Sequence, residues 1–142
     1  PFNWILVGNK IKKIKPDWVI IKFWLPFMGP CFGTVLRRIK SNGHTKVASV
    51  IDNIIPHEKR FGDKPFAQYF VNAVDQFVVM SRSVAEDMKQ FVNQQPVTYA
   101  AHPIYDNYGE ILSKEVARKK LGLPKDEKYI LFFGFIRKRS AR

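Results

Sequence analysis

A short apolar run that ends abruptly in polar residues constrains the fold of this chain more than any other feature. The run is Lys46–Ile51, and it opens the stretch KVASVIDNIIPHE. Its small and β-branched residues do not alternate strictly with polar ones, which is typical of a strand buried on both faces of a parallel sheet. Asp52 and His57 follow it. Because ligands bind beyond the carboxyl ends of parallel strands, the stretch predicts a site with Asp52 and His57 at its rim.

Strand and helix patterns alternate along the rest of the chain. We predict strands at 18–23, 46–51, 76–80, 97–101 and 129–133, and helices at 3–15, 31–40, 66–74, 83–93 and after Ser113. Ser83 and Glu86 predict a capping box at the start of the fourth helix. The alternation predicts an α/β fold, a Rossmann-like parallel sheet with helices on both faces.

The charge of the chain indicates a polyanionic partner. Its 142 residues carry a net charge of +12, and residues 1–60 hold 11 Lys or Arg against 3 acidic residues. Such a field attracts nucleic acid, anionic lipid or a nucleotide diphosphate. The segment 3–15 reads as a basic amphipathic helix, which predicts either contact with an anionic membrane surface or a covering helix with solvated lysines.

The sequence contains neither a second cysteine nor an apolar run long enough to span a membrane. Cys31 is the only cysteine, so no internal disulfide can form, and we expect a reduced, cytoplasmic environment. The longest apolar run, 18–32, is interrupted by Lys22 and Pro26 and is too short to span a membrane.

Trp24, Leu25, Pro26 and Phe27 follow the first predicted strand, polar residues follow the later ones, and a parallel sheet brings all of them to one edge. The candidates that can bind a hydroxyl-rich or phosphorylated ligand are Asp52, Asn53, His57, Glu58, Ser81, His102, Asp106, Gly134 and Arg137. Each has a structural alternative: Ser81 or Ser83 can cap a helix, Asp52 can pair with a lysine, and both histidines can bond to loop backbone. No dinucleotide-binding G-x-G-x-x-G, P-loop or G-x-S-x-G motif is present, and no recognised metal-site spacing.

Five segments together resemble bacterial glycosyltransferases of the GT-B type, family four. They are PDWVIIKFWLPFMGPCFGTVL, DNIIPHEK, DQFVVMSRS, HPIYDNYG and YILFFGFIR. The resemblance implies that residues 1–107 are the later part of an N-terminal acceptor-binding domain. Residues 108–142 would be the connector and the first helix and strand of the nucleotide-sugar-binding domain.

The resemblance also implies an activity and roles for single residues. Members transfer a sugar from a nucleotide diphosphate donor with retention of configuration, and no metal or other cofactor is expected. Gly134 and Arg137 would bind the donor diphosphate, and His57 and Asp52 would contact or orient the sugar. The expected acceptor is an envelope polysaccharide or lipid-linked saccharide, and its binding residues would be Asn53, Glu58, Ser81, His102 and Asp106. We expect the enzyme in the cytoplasm, peripheral to the inner face of the membrane.

The chain departs from the family pattern near its end. The family continues after the arginine with Lys-Gly, whereas Ser140 and Ala141 stand here, and its E-x7-E donor motif would lie beyond Arg142. We therefore expect a fragment that is inactive alone. The alternatives are a basic α/β nucleic-acid-binding module, which ranks lower because the aromatic residues fall inside predicted elements, or a non-catalytic binding remnant.

Overall fold

The structure, a computed structural model, describes residues 2–56, 58, 60–132 and 134. The chain divides into two compact units, Pro1–Pro103 and Ile104–Arg142. The predicted domain boundary after residue 107 lies within the second unit. The assignment of the two parts to acceptor and donor domains stays a prediction.

The first unit is built on a four-stranded parallel sheet. In the order in which they pair, its strands are β1 (Trp18–Phe23), β2 (Lys46–Ile51), β3 (Gln76–Val79) and β4 (Val97–Tyr99). Trp18 pairs with Lys46 at one end of β1 and Phe23 pairs with Ile51 at the other. The predicted α/β class, a Rossmann-like parallel sheet flanked by helices, is confirmed. β3 and β4 are shorter than predicted.

Five α-helices lie in the described residues, together with a 3-10 helix at Pro26–Met28. The α-helices are α1 (Phe2–Ile14), α2 (Gly29–Lys40), α3 (Asp63–Val71), α4 (Arg82–Met88) and α5 (Lys114–Leu121). Pro30 lies in the first turn of α2, where its missing N–H costs no helical hydrogen bond. The turn after α2 contains Gly43 at φ +70°, as the sequence predicts.

α3 and α4 begin earlier than predicted, and a side-chain hydrogen bond lies at the start of each. The Arg60 N–H donates to the Asp63 carboxylate at 2.6 Å, which fixes the turn before α3. The Val84 N–H donates to the Ser81 hydroxyl at 3.2 Å, so Ser81 is the N-cap of α4. The predicted capping box of Ser83 with Glu86 is therefore wrong.

The core lies between one face of the sheet and the helices that connect its strands. Phe23, Ile51 and Phe77 are fully buried there, and the Phe23 ring stacks on Phe70 of α3 with centroids 4.1 Å apart. Successive strand side chains point to opposite faces. On the other face Ile20 is 74% exposed, so the described part of the chain buries the two faces very unequally.

The predicted fifth strand is absent: Tyr129–Phe132 are described and form no strand. The apolar side chains of this segment are exposed. A strand needs a neighbour for its backbone N–H and C=O groups, and the described residues of the second unit contain no other strand to pair with. Local β propensity predicted the strand, but propensity supplies no partner.

Within the described residues, no helix has the length and apolar character needed to cross a membrane.

Candidate functional site

The site begins at the carboxyl edge of the sheet, where the strands end side by side. Phe23 pairs with Ile51, Ile51 with Val79, and Val79 with Tyr99. The residues that follow these strand ends therefore lie along one edge. Asp52 and Asn53 follow β2, Ser81 follows β3 and His102 follows β4, so these candidates lie on three connections that start from the same edge.

Asp52 is held at the edge by two contacts to β1. Its N–H donates to the Phe23 carbonyl at 2.9 Å, and its Oδ2 lies 2.9 Å from the Lys22 ammonium. Its Oδ1 is buried and has no hydrogen-bond partner among the described residues. The side chain as a whole is 32% exposed, so solvent reaches part of the carboxylate. Asp52 thus combines an ion pair with a vacant acceptor, and the predicted pairing with a lysine is confirmed.

Ser81 is placed at the edge by its capping role. Its hydroxyl accepts from the Val84 N–H and lies 3.0 Å from the Ser83 hydroxyl. The structural alternative for Ser81 is confirmed, and any contact with a ligand must share a hydroxyl that already accepts one hydrogen bond.

A cation follows Ser81 directly. The Arg82 guanidinium carbon lies 5.9 Å from the centre of the Tyr99 ring, within the range of a cation–π contact. Arg82 therefore adds a fixed positive charge between β3 and β4, close to Ser81 in sequence.

The other first-unit candidates lie on exposed or half-buried loops. Asn53 is half-buried and Glu58 is exposed. The His102 ring Nδ1 lies 3.0 Å from the Pro103 carbonyl oxygen, which agrees with the predicted contact of this histidine to loop backbone. Their role in acceptor binding stays a prediction.

The remaining candidates belong to the second unit or lie outside the described residues. Asp106 and Gly134 are exposed in the second unit. Among the described residues, a Cβ at Gly134 would meet the Phe132 ring at 3.6 Å, an ordinary van der Waals contact, so packing against them does not demand glycine. His57 and Arg137 lie outside the described residues, and their predicted roles stay predictions.

Sequence reasoning gave no role to two cations of this edge, Lys22 and Arg82. Lys22 lies inside a predicted strand and looks like an ordinary exposed strand residue. Only the pairing of β1 with β2 brings its ammonium to Asp52, since Lys22 pairs with Val50, two residues before that aspartate. Successive side chains of a strand point to opposite faces, so counting in steps of two along both strands would have placed Lys22 and Asp52 on the same face.

An exposed apolar rim accompanies the charged groups. Trp24, Leu25 and Phe27 follow β1 and are all exposed, whereas Phe32 of α2 packs against the core. The Cys31 thiol between them is half-buried, and burial raises its pKa. A thiol held in its neutral form is a poor nucleophile, so Cys31 suits packing.

The described side chains contain no cluster of three His, Cys, Asp or Glu residues arranged to hold a metal ion. The polar and charged side chains at the carboxyl edge of the sheet are hydrogen-bond acceptors and cations. They suit recognition of hydroxyl and phosphate groups.

No model of a known protein family matches this chain. A comparison with curated proteins likewise finds no match. The family assignment therefore rests on the sequence segments alone.

Proposed function

We propose that this chain forms part of a retaining glycosyltransferase of the GT-B type. It would help to transfer a sugar from a nucleotide diphosphate donor to an envelope polysaccharide or a lipid-linked acceptor, at the cytoplasmic face of a membrane. The observation that carries the proposal is the Asp52 carboxylate at the carboxyl edge of the parallel sheet, with one buried oxygen to which no described residue donates a hydrogen bond.

The vacant acceptor favours a hydroxyl-rich ligand. A buried polar atom without a partner costs about 1–3 kcal/mol, so a donor that reaches it gains binding free energy. Sugar hydroxyl groups are such donors. Lys22 holds the carboxylate in place at 2.9 Å, and hydrogen bonds accepted by a carboxylate are among the stronger ones.

The basic side chains suit the stabilisation of the leaving group in the proposed reaction. The leaving nucleotide diphosphate gains negative charge, and pre-positioned cations stabilise it. In the proposed enzyme Arg137 binds the diphosphate and Gly134 allows close approach of the backbone. His57 contacts the sugar beside Asp52, and the acceptor is bound by Asn53, Glu58, Ser81, His102 and Asp106. The proposal requires no metal.

The test measures release of nucleoside diphosphate by the enzyme that contains this chain. Asp52→Asn keeps the size of the side chain and removes its charge, and we expect the rate to fall about a hundredfold, as does Arg137→Ala. Asp17→Asn is the matched control. Asp17 precedes β1 at the opposite edge of the sheet and pairs with His44 at 2.8 Å, so its loss should leave turnover unchanged.

Full activity of both Asp52→Asn and Arg137→Ala would refute the site. Loss of activity in Asp17→Asn to the same degree would show that general destabilisation, not the edge, is being measured. The 142-residue chain by itself should show no steady turnover, and turnover by it would refute the prediction of an incomplete donor site.

A further inference from the structure

The segment 2–15 carries a concentration of positive charge, and no described acidic residue of the first unit forms an ion pair with it. Lys10, Lys12, Lys13 and Lys15 fall within six residues, and Phe2–Ile14 contains no acidic residue. Elsewhere lysines pair with carboxylates, as Lys22 does with Asp52 and Lys40 with Asp75. Among the described residues none of these four forms an ion pair. We call them the α1 lysines, although Lys15 directly follows the last residue of the helix.

Large apolar side chains lie on the side of α1 that faces away from α2, together with Lys10. Gly8 faces α2, since a Cβ there would lie 2.6 Å from the Arg38 Cβ. Residues four apart lie on one side of a helix, so Phe2, Leu6 and Lys10 form a row directed away from that contact. Phe2 and Leu6 are exposed, Leu6 by 59%. The helix therefore presents apolar groups and unpaired ammonium groups to the same surroundings.

The lysines also surround an open cavity of about 880 Å³. Its walls are the four lysines with Leu6, Asn9 and Asn42. The amide groups add hydrogen-bond donors to the four ammonium groups. A phosphate group is the kind of anion that such a cavity can hold.

We propose that α1 docks this protein on an anionic lipid bilayer. The lysines and the cavity bind lipid phosphates, and Phe2 and Leu6 enter the boundary between headgroups and acyl chains. A free phosphate would leave the apolar row without a role, whereas a bilayer uses both features at once. The proposal does not depend on sugar transfer and can hold if the transferase activity is absent.

The test is co-sedimentation of the whole chain with vesicles in 0.1 M NaCl. One set contains 70% phosphatidylcholine and 30% phosphatidylglycerol, and the other contains phosphatidylcholine only. We expect clear preference for the anionic vesicles. Because each lysine near an anionic surface contributes about a fivefold factor, the variant with all four α1 lysines replaced by Gln should bind at least about a hundredfold more weakly.

A second quadruple variant is the matched control. Replacement of Lys114, Lys119, Lys120 and Lys125 by Gln removes the same total charge from the second unit. Its affinity for the anionic vesicles should stay within about threefold of the unmodified chain. Leu6→Ser should weaken vesicle binding about tenfold through lost apolar burial.

Several outcomes would overturn the proposal. One is equal binding to both vesicle types, and another is an equal loss of binding in the two quadruple variants. A third is an affinity of the unmodified chain that stays the same when NaCl is raised from 0.05 to 0.5 M. The salt series needs no variant, so it decides the matter even if a variant misfolds. Tighter binding to duplex DNA than to vesicles, or a dimer in sedimentation equilibrium that Leu6→Ser dissociates, would assign this surface to a different partner.

Discussion

The Asp75 carboxylate joins β2 to α2 with its two oxygens. Oδ2 accepts from the N–H of the buried Val47 at 2.7 Å, and Oδ1 bonds to the Lys40 ammonium. We expect Asp75→Ala to lower the free energy of unfolding by about 2 kcal/mol, because a buried N–H loses its acceptor. Urea denaturation measures this change.

Two other variants provide a comparison for the loss of unfolding free energy in Asp75→Ala. Asp75→Asn keeps an acceptor for the Val47 N–H and should cost about half as much. Asp17→Ala removes a side-chain contact to His44 in which the aspartate is 86% exposed, and it should cost less than about 1 kcal/mol. If Asp75→Ala is no worse than Asp17→Ala, the bond to Val47 contributes nothing.

Single residues also show where sequence reasoning stops. Ser81 and Ser83 are both good N-caps, and the sequence offered a Glu three residues after Ser83. The structure uses Ser81, because the chain leaves β3 in extended conformation there, at φ −133° and ψ +151°. The choice between two competent caps depends on where the strand ends, which local sequence does not fix.

At the scale of elements, Gly29 sets how closely α2 approaches α3. A Cβ at this position would lie 2.1 Å from the Phe66 carbonyl oxygen, a backbone atom. Alanine is the better helix former by about 1 kcal/mol, but the clash opposes it. We expect Gly29→Ala to lower the free energy of unfolding by about 2 kcal/mol.

Gly33→Ala provides the comparison, because its Cβ would meet the Tyr69 side chain at 2.6 Å and not backbone. A side chain can rotate away, so the loss should be smaller than at Gly29. Thermal or urea unfolding that ranks the two variants in the reverse order would contradict this account of the α2–α3 contact.

The start of α5 should respond to acid. The pKa of Glu115 lies below its usual value of 4.5, because its own backbone N–H and then the Ser113 hydroxyl donate to the carboxylate. A lowered carboxyl pKa means that this contribution to the helix is complete above 4.5 and is lost as pH falls through the native pKa. In Ser113→Ala the carboxyl midpoint, followed by NMR, should rise towards 4.5.

Ser41→Ala, a change in the other unit, serves as the control and should leave the Glu115 midpoint in place. An unchanged midpoint in Ser113→Ala would mean that the hydroxyl does not bond to the carboxylate.

Ser113 as a helix cap was predictable from sequence, since it precedes the helical pattern directly. The strand predicted at 129–133 was not reliable, because its existence depends on a partner elsewhere.

For the whole molecule, the main feature is a sheet with one buried and one exposed face. Ile51 lies on the buried face, and Ile20 lies on the other. Replacement by Thr keeps the β-branched shape at both positions. We expect Ile51→Thr to cost about 2–3 kcal/mol and Ile20→Thr less than about 0.5 kcal/mol in urea denaturation.

Similar losses at Ile20 and Ile51 would show that the exposed face is covered in solution.

The sequence predicted the parallel sheet well, because β–α alternation and short connections leave few other topologies. It could not predict the pair of Lys22 with Asp52. That contact joins side chains 30 positions apart and exists only in the observed register.

The order of the strands in the sheet is also their order along the chain. Each new strand therefore pairs with a strand that has already been synthesised, and none must wait for a later one. Synthesis proceeds at about 5–20 residues per second, which leaves time for each β–α–β unit to dock before the next emerges. Once residue 51 has left the ribosome, the nascent chain can already form a β1–α2–β2 unit, on which the later strands assemble in order.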